Sequence, residues 1–262
     1  MLVTRIITAL VLLVFISVVL FVLPARYAEW IIGLLLVIGA WEWAGFLELS
    51  SKPVKLVYTA MIAACLALVY FVIPDKTTLI LQVACAWWFL AFLWNLRFPT
   101  AIPLPVRWIC GLLVIVPLYA ALILLFRLGV EYLVFTLLIV WVADAGAYFA
   151  GKGFGRVKLA PAISPGKTWE GVIGGLLLVG ALAVAVAIWR DLNVAVFLPF
   201  CLAVAGLSVV GDLTVSMFKR TAGVKDSGSL FPGHGGVLDR IDSVAAAAPL
   251  FALGVGWLGL TP

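Results

Sequence analysis

Long apolar runs, separated by single charges and short polar breaks, dominate this sequence and decide its solvent before anything else. Their length matches the roughly 20 residues that a helix needs to cross the hydrocarbon core of a bilayer. Apolar residues make up 66% of the chain and charged ones only 11%, where a soluble domain carries about 25% charge. Such a chain cannot clothe itself in a polar surface. The expected fold is an all-α, polytopic integral membrane protein, which excludes a large soluble domain.

Breaks at charge, Pro and Gly predict nine spans in the 262 residues, about 6–23, 30–47, 54–73, 78–94, 109–126, 131–149, 171–189, 194–211 and 243–260. An odd count puts the termini on opposite sides, and the basic residues choose which side is which. With the N-terminus inside, the cytoplasmic set is Arg5, Lys52, Lys55, Arg97, Arg107, Lys152, Arg156, Lys158, Lys167, Lys219, Arg220, Lys225 and Arg240. Outside lie Arg26, Lys76, Arg127 and Arg190. This split of 13 against 4 favours N-in, C-out, because cytoplasmic loops collect Lys and Arg. The formal charge of +5 follows from the same topology: the basic residues form no run, so nucleic acid is not an expected partner. The first run exceeds the roughly 7–15 residues of a signal-peptide core and precedes no clear cleavage motif, so it reads as a retained span.

The chain reads as one membrane domain, with helices alone over 1–140 and the chemistry over 141–262. Both long polar connections, 150–170 and 212–242, fall on the cytoplasmic side of this scheme, which places the active site at that face. Cys65, Cys85, Cys110 and Cys201 sit in apolar runs without metal or redox spacing and are expected to pack in the core. The single histidine, His234, has no cysteine near it in sequence to build a zinc site, and it is embedded in the glycine-rich segment, so no Ser-His-Asp or Cys-His arrangement is expected.

Chemistry concentrates in GDLTVSMFKRTAGVKDSGSLFPGHGGVLDRID, residues 211–242, which hold eight charged residues and the histidine. Asp212, Ser216 and Lys219 are spaced four and three apart, so a helix continuing past residue 211 gives them one shared face. Asp239 and Asp242, three apart at the expected start of the ninth helix, set two carboxylates side by side. Two readings stand for that pair: ligands for a hard divalent cation, or a negative first turn complementing the helix dipole with Arg240 as an interfacial anchor. Glycines 223, 228, 233, 235 and 236 preclude regular helix between them. They serve either as ordinary turns or as backbone that approaches an anion closely.

A second cluster is SPGKTWEG, Ser164 to Gly171. Ser164 is expected to cap a helix with Pro165 as its first residue, which puts Lys167 and Thr168 at a helix N-terminus suited to phosphate. The GKT string is not a P-loop, since Pro161 stands where that motif needs Gly and no strand is expected before it. Asp144, near the cytoplasmic end of the sixth run, is a functional candidate because an ionisable residue in a span is costly. Glu42, between Trp41 and Trp43 in the second run, either lines the same site or makes a buried structural or interfacial hydrogen bond.

Carboxylates and cations at one face suit a metal-bound polyphosphate, with Mg²⁺ on the carboxylates and Lys and Arg on phosphate oxygens. A secondary transporter of an anionic solute is the alternative class, but paired broken helices and related halves are absent from the sequence.

The stretch Ser216 to Asp242 resembles the signature of the phosphatidate cytidylyltransferases, or CDP-diacylglycerol synthases: Ser, then Lys-Arg, Lys-Asp, His-Gly-Gly and Asp-Arg-x-Asp, without departure over 27 positions. The Asp144 region and SPGKT resemble upstream elements of that family. The resemblance implies an enzyme of the cell's inner, cytoplasmic membrane that joins CTP to phosphatidate, releasing CDP-diacylglycerol and pyrophosphate with Mg²⁺. It implies metal binding by Asp212, Asp239 and Asp242, and admits a second metal ion and a homodimer. Lys219 and Arg220 are expected to act in catalysis with those carboxylates. Substrate contact is expected from Asp144, Ser164, Lys167, Thr168, Lys225, Asp226, His234, Gly235, Gly236 and Arg240. A related enzyme using an ether-lipid or polyprenyl phosphate shares this expectation, because acyl recognition leaves no readable code.

Overall fold

A computed structural model describes residues 2–47, 52–231, 233 and 235–258, with side chains from residue 7 onward. Nine long α-helices form among them: α1 Leu2–Phe21, α2 Ala25–Trp43, α3 Lys52–Phe71, α4 Thr77–Asn95, α5 Leu104–Leu128, α6 Val130–Phe154, α7 Trp169–Trp189, α8 Val194–Thr221 and α9 Leu238–Trp257. Each predicted run overlaps one of them. Helix starts follow local chemistry, as at Pro24 before α2, Pro103 before α5 and the Asn193 side chain that caps α8. Pro117, Pro199 and Pro249 lie inside α5, α8 and α9, where neighbouring helices in an apolar bundle compensate the lost N–H.

Helices α2 to α8 are long and apolar enough to cross a membrane, while the apolar stretch of α1 with described side chains, Ile7–Phe21, is shorter. The protein is therefore an α-helical, polytopic membrane protein, 81% helical. Exposed Leu, Val, Phe and Trp side chains along α1, α3, α4 and α7 have the character of a lipid-facing surface. The core sits around α5, α8 and α9, where Ala245 to Ala248 are fully buried and let helix backbones approach. Close approach also joins α6 to α7: a Cβ on Gly175 would stand 2.6 Å from the Ala143 carbonyl oxygen.

One departure from the all-helical expectation is a two-stranded antiparallel hairpin, β1 Lys158–Ala160 and β2 Ser164–Thr168, with Lys158 opposite Thr168 and Ala160 opposite Ser164.

Polar side chains gather at both ends of the bundle. At one end the Arg127 guanidinium donates to Glu29 at 2.6 and 3.1 Å and Tyr70 donates to Glu29 at 2.6 Å, tying the ends of α2, α3 and α5. Glu42 lies 13 residues further along α2, about 20 Å away at ~1.5 Å per residue, and marks the other end. Arg127→Ala is expected to cost about 1–3 kcal/mol by leaving a buried carboxylate short of donors. It should lower the melting temperature in detergent while leaving turnover below that temperature at wild type, because the site lies at the opposite end.

Candidate active site

The hairpin decides where Lys167 points. Ser164 and Pro165 do not open a helix, which corrects the expected cap. Pro165 leaves Ser164 in the extended backbone that a helix cap also needs, and Gly166 is a weak helix former, so pairing with β1 decides for the strand. The β1 that precedes it is a strand the sequence did not announce. Thr168 is the true cap: its Oγ accepts from the Gly171 N–H at 3.2 Å, and α7 starts at Trp169. Glu170 fixes the hairpin base by accepting from the Val157 N–H at 3.1 and 3.2 Å. Lys167 therefore projects from a strand, not from a helix N-terminus, and forms an ion pair with Asp212 of α8.

Helix α8 runs on to Thr221, ten residues past the expected end of its span, so Asp212, Ser216 and Lys219 share the face that their spacing demanded. Ser216 donates to Asp212 at 3.1 Å. The buried Lys219 ammonium donates to Asp239 at 2.8 Å and lies 3.9 Å from Asp242. Helix α9 begins at Leu238, five residues before the predicted apolar run, and both aspartates lie near its start as their spacing suggested.

Asp239 is committed to the polypeptide. Besides Lys219 it accepts from the N–H groups of Ser227 at 2.8 Å and Gly236 at 2.9 Å and lies 3.0 Å from the Ser227 hydroxyl. Lys219 and the two backbone donors together offset the cost of burying its charge. Asp242 is freer, accepting from the Ser243 N–H at 2.8 Å. Its backbone packs on α8, where a Cβ on Gly211 would stand 2.5 Å from the Asp242 carbonyl oxygen. Asp212 follows Gly211 in that contact, so its turn of α8 lies against the turn of α9 that carries Asp242.

Asp144 opens onto a cavity of about 380 Å³ between α6, α7, α8 and the hairpin. Lys152, Lys167 and Thr168 line its polar part, while Val172, Leu176 and Val209 line its apolar part. This places Asp144, Lys167 and Asp212 together. Arg220, expected beside them, is turned to the scaffold and donates to the carbonyls of Ile163 at 3.1 Å and Val224 at 3.3 Å. Lys225 and Asp226 are exposed on the connection between α8 and α9. Gly235, at φ +79, accepts from the Phe231 N–H at 2.9 Å. His234 and Pro232 lie outside the described residues.

The two readings of the glycine segment separate here. Its N–H groups do surround anions, but the anions are the protein's own: Asp239 takes Ser227 and Gly236, and Glu42 takes Val237 at 2.9 Å and Leu238 at 2.8 Å. Glu42 thus makes the buried structural bonds that were one of its alternatives. Asn95 of α4 is a contact the sequence did not suggest, donating to Thr214 of α8 at 3.0 Å. Nothing local to an Asn in an apolar run points across 119 residues to its acceptor.

Among the described residues no three His, Cys, Asp or Glu side chains form a ready-made metal cluster. Asp212 and Asp242 nevertheless fit an ion of the Mg²⁺ type, which is ordinarily held by one or two carboxylates together with substrate phosphates.

A sequence model of the cytidylyltransferase family matches residues 3–257. The chain is 42% identical to the phosphatidate cytidylyltransferase of Pseudomonas aeruginosa, over 98% of this chain and 99% of that protein. It is 36% identical to the phosphatidate cytidylyltransferase of Haemophilus influenzae, over 96% and 98% of the two chains. It is also 48% identical to that of Staphylococcus aureus strain COL, over 47% and 48%. Similarity that runs through the apolar N-terminal helices as well as the polar loops shows that this chain belongs to the cytidylyltransferase family.

Proposed function

We propose that the protein joins CTP to phosphatidate, forming CDP-diacylglycerol and pyrophosphate. The observation that carries the reading is the cavity, which sets Asp144, Lys167 and the Lys167–Asp212 pair against apolar helix surface. A charged nucleotide from water and a phosphate on a lipid both have complementary surface there. The lipid phosphate oxygen attacks the α-phosphorus of CTP in line; the new P–O bond forms as the bond to the β-phosphate bridge breaks, and pyrophosphate leaves. A phosphate monoester with a second pKa near 6 is largely ionised at neutral pH, so no general base is required and His234 is assigned no proton transfer.

Asp212 and Asp242 are the residues proposed to hold Mg²⁺, which when bound supplies positive charge to the polyphosphate. Asp239 acts beside them by fixing Lys219, and Lys167 offsets phosphate charge from the cavity lining; Lys219 and Arg240 are assigned to the same polar end of the bundle. Arg220 is held by the Ile163 and Val224 carbonyls and Lys225 and Asp226 are exposed on the connection, so none of the three is assigned to the reacting centre. We read the whole chain as one membrane domain of nine spans, N-in and C-out in the inner membrane, with α1 and α9 completing the seven helices that qualify by length and apolarity.

Two tests follow. Purified protein should consume CTP with phosphatidate in preference to ether-lipid or polyprenyl phosphates, and a reversed preference would reassign the lipid. Single cysteines placed near Lys158 or Lys225 should resist an impermeant thiol reagent on intact cells and react after lysis. Labelling from outside would reverse the topology and remove the site from cytosolic CTP.

A further inference from the structure

Glu42 belongs to α2, far in sequence from every residue assigned to the transfer, yet three observations tie it to them. Its carboxylate is buried and accepts from the N–H groups of Val237 at 2.9 Å and Leu238 at 2.8 Å, which open α9. It lies 2.8 Å from the Ser227 hydroxyl, which is also 3.0 Å from Asp239. That hydroxyl has one proton and serves one carboxylate at a time, so it bridges Glu42 to the partner of Lys219. Gly228 and Gly236 close over the carboxylate: a Cβ on Gly228 would stand 2.6 Å from the Glu42 Oε1, and one on Gly236 would meet both oxygens.

A carboxylate on the first N–H groups of a 20-residue helix is favoured by the helix dipole and occupies donors that would otherwise be open to an external anion. These two donors are therefore already taken and do not serve substrate phosphate. The same contacts set the direction in which the first turn of α9 leaves the loop, and with it the placement of Asp239 and Asp242 against Lys219.

We propose that Glu42 is a positioning residue for the nucleotidyl transfer, acting through the Ser227–Leu238 segment and touching no substrate. This rests on the reaction proposed above. In Glu42→Gln one oxygen becomes an amide donor, so either Val237 or Leu238 loses its acceptor while side-chain size is kept. The expected result is a fall in kcat of roughly a hundredfold, the scale of an ångström-level misplacement. Amide deuterium exchange should accelerate within residues 227–240 and not across the bundle, and any fall in melting temperature should be too small to unfold the protein at the assay temperature. Gly228→Ala presses on the same carboxylate from the loop side and should reproduce both effects. The double variant should be no worse than the worse single, because the two changes act on one contact.

A merely structural Glu42 gives a different pattern: activity lost in proportion to folded protein, unchanged KM and kcat per folded molecule, and faster exchange throughout the bundle. That pattern overturns the proposal, as does wild-type kcat in either single variant. If Glu42→Gln fails to insert, Gly228→Ala decides the matter by itself. Wild-type protein that makes no CDP-diacylglycerol would instead overturn the reaction, whereas an active wild type indifferent to both substitutions overturns only the role of Glu42.

Discussion

Asp212→Asn and Asp242→Asn should each lower the maximal rate of CDP-diacylglycerol formation by roughly 10²–10³-fold, the cost of removing one preorganised electrostatic group from a transition state. Asparagine keeps the shape of either side chain and its place in the helix. What it removes is charge. At position 212 it leaves Lys167 without its partner, and at position 242 it removes the carboxylate that faces Lys219 across 3.9 Å. Because the proposed ion is held jointly with substrate phosphate, excess chelator should silence the wild type as well. A carboxylate that merely complements a helix dipole predicts only about 0.3–1 kcal/mol of lost stability with catalysis intact. Near wild-type rates in both variants, or full activity in chelator, would dispose of the metal assignment. Melting curves of the two variants separate a folding defect from a chemical one.

Lys167→Ala carries the second large effect. The ammonium reaches into the cavity from β2 and pairs with Asp212, so truncation deletes a cation at the mouth and leaves a carboxylate unpaired. Truncating one member of a desolvated charge pair costs about 2–5 kcal/mol. Lys167 is still 27% exposed, which argues for the lower end. A fall in kcat/KM of roughly 30- to 100-fold is expected, since each ~1.4 kcal/mol is tenfold. Lys167→Arg, which keeps the charge on a different geometry, should recover part of it. Wild-type kinetics in the alanine variant would retire the phosphate role and leave the residue as a strut between the hairpin and α8.

The helices were legible because a bilayer leaves the backbone few options, and an apolar run about 20 residues long has little else to become. The shared face of Asp212, Ser216 and Lys219 was legible for a related reason, since helical spacing alone fixes it. What sequence could not give was anything set by contact across the chain. Ser164-Pro165 has the chemistry of a helix start, and only its pairing with Lys158–Ala160 draws it into a strand. Arg220 looked catalytic by its neighbours in sequence, but its guanidinium is held by the Ile163 carbonyl 57 residues away. Glu42 shows the same limit most plainly. A carboxylate between two tryptophans carries no local sign of the loop that it organises 185 to 196 residues downstream.

In the proposed reaction a lipid phosphate attacks the α-phosphorus of CTP at this site. That step is tested most directly by giving purified protein in phosphatidate-containing vesicles, with Mg²⁺, CTP labelled either at the α- or at the γ-phosphorus. The α-label is expected to pass into lipid as CDP-diacylglycerol while the γ-label appears only in pyrophosphate, one for one. Transfer of γ-label to lipid, or release of labelled phosphate with no lipid product, would contradict it.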